Sequence, residues 1–310
     1  FGISGSDAVG LLRSNARRPA RVAILRNGKI QDLAANTTPA DFPVNSLIRP
    51  QPVIITASDG LKFHGHIFLP RGDAGGRHPA VIFVHGGSRR QMLLGWHYMD
   101  YYNNAYALNE YLASRGYVVL AINYRSGIGY GLNFREPLNY GATGASEFND
   151  VTGAGVYLAQ RPDVDPSRIG IWGGSYGGYL TAMALSRASK LFRVGVDMHG
   201  VFDWNDVIRN FVPSYNPLEH PRAAHLAFAS SPAASMSTWR SPVLVIQGDD
   251  DRNVPFSQSI KLVAALRAQH VPFDQLVLPD EIHDFLTHAA WLKAYHATSD
   301  FLDRYLHPAP

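Results

Sequence analysis

The chain has 310 residues, with 28 basic against 25 acidic side chains (formal charge +3) and 46% hydrophobic against 17% charged residues. That composition supports a buried core and argues against disorder. Near-balanced charge with no Lys/Arg stripe argues against a nucleic-acid partner, and no apolar run approaches the ~20 residues of a membrane-spanning helix. Cysteine is absent, which excludes disulfides, thiolate catalysis and Cys-ligated zinc or iron–sulfur centres without fixing a compartment.

Residues 1–50 differ in character from the rest. Phe1 stands where an initiator Met would, no signal-peptide pattern follows, and the sequence reads as a fragment or processed product. Arg21–Arg26 and Lys29–Leu33 flank Asn27-Gly28, a two-residue hairpin signal. One hairpin cannot bury its own face, so this segment is expected to lean on the main domain or on another module. Asn36-Thr37-Thr38 has the pattern of a glycosylation sequon and reads as an ordinary polar loop. A second hairpin, Val53–Ala57 and Leu61–Leu69, turns at Ser58-Asp59-Gly60. Buried strands are then predicted from short apolar runs at Ala80–Val84, Tyr117–Ile122, Arg168–Trp172, Val194–Met198, Val243–Gln247 and Asp274–Leu278. Helices are predicted at Ala105–Arg115, Ser146–Gln160, Tyr176–Ser186, Phe256–Gln269 and Phe285–Leu306, and the stretch 212–232 reads as loop. Strands alternating with helices imply an α/β fold with a mostly parallel sheet.

In an open parallel sheet, functional groups gather at the carboxyl ends of the strands. After Arg168–Trp172 comes Gly173-Gly174-Ser175-Tyr176-Gly177, a G-x-S-x-G run with a buried strand before it and a helix after it. The serine needs a sharp turn to lift its hydroxyl above the sheet, and flanking glycines avoid a Cβ clash. The helix starting at Tyr176 also aims backbone N–H groups at the reacting centre. A serine hydroxyl is a poor nucleophile until a base takes its proton. In this arrangement an acid and then a histidine follow in the chain. After Val243–Gln247 the loop Gly248–Pro255 holds three successive carboxylates, Asp249, Asp250 and Asp251, and after Leu278 the loop Pro279–Phe285 holds His283. The strand Ala80–Val84 runs into His85-Gly86-Gly87-Ser88, two glycines that let backbone N–H groups approach a substrate carbonyl; His85 reads as holding that loop in shape.

The chain has 13 histidines, so most are bystanders. His288 and His296 are expected to pack or face solvent. His64 and His66 share one face of the second hairpin and read as a surface pair rather than a metal pair. His220 and His225 receive no role. Neither an HExxH zinc motif, a Walker loop nor a GxGxxG loop is present, and no cofactor is implied.

These residues resemble the prolyl oligopeptidase family of serine peptidases, in its branch of dipeptidyl-peptidases and acylaminoacyl-peptidases. The resemblance covers most of residues 50–310 and rests on Asn123–Gly131, Asp163–Gly178, Gly248–Pro255 and Pro279–Phe285. It implies an α/β-hydrolase fold with Ser175 as nucleophile, Asp251 as orienting acid and His283 as base; Asp251 is chosen because the motif reads D-x-x-V, met with Val254. It implies oxyanion donors at the N–H of Tyr176 and of Gly87, and the family often has Pro where Ser88 stands. The P1 pocket it implies is apolar, formed by Tyr176, Trp204, Val207, Phe211 and Val254, with Asn253 reaching the substrate backbone, so an uncharged residue such as proline fits.

In this family the catalytic domain follows a β-propeller. Residues 1–50 then read as the remnant of an N-terminal propeller and 51–310 as the catalytic domain. Apolar surface at that boundary favours a homo-oligomer. The expected partner is a small peptide substrate. A carboxylesterase on the same fold and triad is the alternative, since fold alone does not decide the chemistry. A binding protein without activity is disfavoured because every triad position is filled.

Overall fold

The computed structural model describes residues 2–3, 8–34, 38–72 and 76–306; Asn36 and Thr37 of the sequon lie outside the described residues. The N-terminal hairpin is part of a larger unit. Strands β1 (Gly2–Ile3), β2 (Ala8–Arg13), β3 (Arg21–Arg26) and β4 (Lys29–Asp32) form a four-stranded antiparallel sheet in that order. Asn27 and Gly28 both have positive φ, at 49° and 73°, as a tight hairpin turn requires. The unit does lean on the main domain: Ser14 Oγ donates to Trp96 O at 2.8 Å and Tyr106 Oη to Ala16 O at 2.8 Å.

The main sheet has eight strands: β5 (Gln51–Thr56), β6 (Lys62–Phe68), β7 (His78–Val84), β8 (Val118–Asn123), β9 (Val164–Gly174), β10 (Val194–Met198), β11 (Val243–Gly248) and β12 (Phe273–Leu278). Their spatial order is β12-β11-β10-β9-β7-β8-β6-β5. β12 through β8 pair in parallel, and β6 and β5 close one edge antiparallel. All residues of β8, β10 and β11 are buried, the continuous apolar pattern of strands covered on both faces. Helices α3 (Phe148–Ala159), α4 (Tyr176–Arg187) and α7 (Ser257–Ala268) cover one face, packing on Ile82, Leu120 and Ile171; α1 (Asp100–Ser114) and α8 (His288–Leu306) cover the other, on Phe83, Trp172 and Val196. Buried Arg125, just past β8, ties three segments together: its guanidinium bonds Asp150 of α3 at 2.7 Å and Asp59 of the β5–β6 turn at 2.6 Å. Among the described residues no helix is long and apolar enough to cross a membrane.

Several expectations need correction. α1 starts five residues early because Tyr101 and Tyr102, weak helix formers, are buried against the sheet. α8 starts at His288, not Phe285, because Phe285 has a φ of 37° and Glu281 caps the preceding loop by accepting from Leu286 N and Thr287 Oγ1. The 212–232 stretch contains a helix, α6 (Pro221–Ala229), preceded by the short α5 (Trp204–Val207); α2 (Leu132–Arg135) is equally short. His64 and His66 are no surface pair. β6 lies inside the sheet, so His66 is buried, with its pKa lowered to about 4 by that burial, and His64 stacks on Tyr130 at 4.6 Å.

Candidate active site

β9 ends at Gly174 and α4 begins at Tyr176, leaving Ser175 alone on the turn with φ 58° and ψ −121°. A non-glycine residue held there is strained, and the surrounding packing enforces it. A Cβ on Gly173 would stand 2.5 Å from Val84 O, and one on Gly177 would stand 2.0 Å from the same oxygen. These glycines therefore let the end of β7 cross the start of α4 at contact distance. Ser175 N donates to Met198 O at 2.9 Å, which ties the turn to β10.

The three candidate carboxylates separate clearly. Asp250 pairs with Arg252 at the surface, and Asp249 accepts from Asp280 N at 2.7 Å. Asp251 is buried: Oδ1 accepts from Asn253 N and Val254 N at 2.9 and 3.0 Å, and Oδ2 from Gln247 Nε2 at 3.2 Å and His283 Nδ1 at 2.7 Å. With Nδ1–H committed to the carboxylate, His283 Nε2 is left to accept a proton. His283 and Ser175 line one cleft of ≈ 360 Å³ with Gly86, Gly87, Tyr102 and Asp284.

The His85–Ser88 loop is braced without a proline. Tyr124 Oη donates to His85 O at 2.8 Å, and the His85 ring stacks on Tyr124 at 4.2 Å. Burial lowers the His85 pKa to about 4, so this ring is neutral at pH 7. A Cβ on Gly86 would stand 3.1 Å from Ser175 Cβ, so the loop passes directly beside Ser175. The Tyr176 phenol donates to Glu147 at 2.5 Å; this buried carboxyl also accepts from Ser126 Oγ and Gly141 N, and burial raises its pKa.

Of the residues expected around the P1 pocket, Phe211, Asn253 and Val254 line the same cleft as Ser175. Trp204 and Val207 are buried beside it and do not line that cleft; the Trp204 ring lies 5.7 Å from Tyr176 and 5.1 Å from Tyr179. Phe211 is 69% exposed at the rim.

The sequence reading missed two neighbours, Tyr101 and His199. His199 follows β10 directly, is fully buried and has a φ of 42°. Its ring lies 4.4 Å from that of His283, and its Nε2 meets Tyr101 Oη at 2.9 Å. Burial holds His199 well below the usual imidazole range and Tyr101 well above the usual phenol range, so both are neutral and the phenol donates. A histidine at the carboxyl end of a central strand was the available signal. One ligand atom each from His199, Asp251 and His283 lie within 4.8 Å of one another, the one such His/Cys/Asp/Glu trio among the described residues. Each Asp251 oxygen already accepts two N–H bonds, which leaves the carboxylate no free lone pair for a metal ion.

Beneath this group, Asp197 accepts from Gly200 N at 2.9 Å, and burial raises its pKa to about 7 from 3.8. The folded chain therefore holds a proton that the unfolded chain has lost, and this group's contribution to stability falls as pH rises between those two values. Asp197→Asn, which keeps an acceptor for Gly200 N without a charge, is expected to raise the melting temperature at about pH 8 and to do so less at about pH 5. Equal shifts at both would show that Asp197 is not protonated in the folded state.

Sheet order, crossover helices and a serine elbow between the central strand and its helix define an α/β-hydrolase. The sequence model described as the prolyl oligopeptidase family matches residues 103–309, and the chain belongs to that family of peptidases. It is 28% identical over 257 residues to dipeptidyl aminopeptidase BIII of Pseudoxanthomonas mexicana, covering 77% of this chain and 36% of that protein. It is 28% identical over 264 residues to dipeptidyl peptidase 8 of Homo sapiens, covering 82% of this chain and 28% of that one. Among solved structures, a puromycin-hydrolyzing peptidase of Mycobacterium tuberculosis superposes with a TM-score of 0.82 at 26% identity, over 96% of this chain and 46% of that one. The chain thus spans about a third of the length of those two curated relatives and under half of that structure.

Proposed function

We propose that this chain is a serine peptidase that cleaves short peptides through an acyl-enzyme, with Ser175 as nucleophile, His283 as base and Asp251 as the group that orients it. The observation that carries this reading is the 2.7 Å bond from His283 Nδ1 to buried Asp251, with the same imidazole lining the cleft that holds the strained Ser175. Ser175 Oγ attacks the scissile carbonyl carbon while His283 Nε2 takes its proton. The carbonyl oxygen becomes an oxyanion facing the N–H groups of Tyr176 and Gly87. The C–N bond breaks as His283 returns the proton to the leaving nitrogen, and water, deprotonated by the same imidazole, releases the acyl group. Phe211 and Val254, the apolar residues on the acyl side of the cleft, favour an uncharged P1 residue, proline included, with Asn253 placed for the substrate backbone; Trp204, Val207 and Tyr176 pack behind that wall.

We further read residues 1–50 as the remnant of a propeller module and 51–310 as the catalytic domain. The support is that β1–β4 have the strand number and antiparallel order of one propeller blade.

A fluorophosphonate is expected to label the protein once, at Ser175, and labelling that survives Ser175→Ala would remove the nucleophile assignment. Matched amide and ester substrates then separate a peptidase from a carboxylesterase: hydrolysis of the ester alone would favour the latter.

A further inference from the structure

The cleft has two unlike walls. Sheet order places the loop after β7 on one side of Ser175, and the loops after β10 and β11 on the other. The second wall carries Phe211, Asn253 and Val254, the side proposed for the acyl part of the substrate. The first carries Gly86, Gly87, Tyr101, Tyr102, Met99 and an arginine, Arg90.

Arg90 is half-buried and has no counter-ion among the described residues. Its neighbour Arg89 pairs with Glu136 at 2.8 Å, whereas among the described residues no carboxylate lies within ion-pair distance of Arg90. Its Nη1 donates to Arg89 O at 3.1 Å, and its buried Nε has no partner. It also faces the Tyr102 phenol. Among the described residues the acid lining the cleft is the exposed Asp284, next to His283. The guanidinium is close to the chemistry: a Cβ on Gly86 would stand 3.1 Å from Ser175 Cβ, and one on Gly87 would stand 3.7 Å from Arg90 Cζ. Adjacent Cα atoms are ~3.8 Å apart, so Arg90 lies within about two or three residue lengths of the nucleophile.

We infer that Arg90 forms a leaving-group subsite for a carboxylate, selecting peptides whose free C-terminus lies one or two residues beyond the cleaved bond; this rests on the peptidase reading. A leaving peptide begins at the nitrogen that His283 protonates and runs along the first wall. Its terminal carboxylate there meets an arginine that no acid among the described residues neutralises, in a cleft where charge-assisted hydrogen bonds are stronger than in open water. Once released, the product is a zwitterion, with its ammonium beside Asp284 and its carboxylate on Arg90. A longer substrate presents a neutral amide at the same place and gains nothing from the charge.

The test compares peptides with a P1 proline followed by one or two alanines, each as the free acid and as the C-terminal amide. The intact chain is expected to cleave the acids with kcat/KM about 10–100-fold above the amides. Arg90→Gln should bring that ratio to near one, and Arg90→Lys should keep part of it, since a lysine retains the charge but not the planar fork. Fluorophosphonate labelling of Ser175 in each variant checks that the elbow is intact. A ratio near one in the parent, or one that survives Arg90→Gln, overturns the subsite while leaving the peptidase reading in place. Cleavage of neither form by a chain that labels at Ser175 overturns both.

Discussion

Asp251→Asn is expected to lower turnover by roughly 10³–10⁴-fold with the fold retained. An asparagine oxygen can still accept from Asn253 N and Val254 N, which hold this loop. Its amide group, however, would then face His283 Nδ1 and Gln247 Nε2, where the carboxylate now accepts both. Two N–H groups cannot satisfy one another, so His283 turns its lone pair to position 251 and presents a proton to Ser175, the wrong tautomer for a base. Asp249→Asn and Asp250→Asn touch only the backbone of Asp280 and the surface pair with Arg252, and should change kcat/KM far less. The measurement is kcat/KM for all three variants, with circular dichroism as the check on folding. An Asp250→Asn loss as large as that of Asp251→Asn would move the orienting role to another residue.

Gly177→Ala should cost about 3 kcal/mol or more of stability, a magnitude reserved for overpacking that cannot relax. The atoms a new methyl would strike are all backbone: Val84 O at 2.0 Å, Val84 C at 2.8 Å and His85 O at 2.9 Å. Relief would require moving β7 away from α4, which would open both the elbow and the loop proposed to carry an oxyanion donor. Gly10→Ala is the control. There, among the described residues, the methyl meets only Gly2 O at 3.7 Å, an ordinary contact, and the change should stay within about 0.5 kcal/mol. Denaturant unfolding of both variants decides. Gly177→Ala melting like the parent would mean that the β7–α4 crossing is looser than its distances state.

What could be read from the residues alone was whatever rests on local pattern. Ala80–Val84 and Val243–Gln247 announce central strands because both faces are covered, and the run from Gly173 to Gly177 announces the elbow because its glycines answer a local steric need. The four-stranded N-terminal sheet was not legible beyond its Asn27-Gly28 turn, since β2 has Gly10 in its middle and an exposed Leu12, with no clean alternation. α6 was missed because Leu226 and Phe228 face outward, so its nine residues show no apolar stripe directed at a core. His66, Tyr101 and His199 were invisible as partners for a different reason: each owes its environment to a segment distant in the chain. Only the fold states that the His199 ring lies against that of His283. The aspartates illustrate the middle case: the three adjacent carboxylates read alike by residue type, only the D-x-x-V motif of the family resemblance picked out Asp251, and Asp251 is the one that the fold buries against His283.

The sheet order has a consequence for the nascent protein. β9 sits between β7, made earlier, and β10, made later, and His283, the proposed base, lies beyond β12 at the sheet's far edge. A chain being synthesised therefore displays its proposed nucleophile well before the imidazole that would activate it exists. At ~5–20 residues per second, the interval from Ser175 to His283 lasts roughly 5–20 s. Throughout it the serine is an ordinary alcohol, surrounded by unfolded polypeptide on its own ribosome and its neighbours. A hydrolase assembled in this order is silent while it is most exposed to substrates it should not cut.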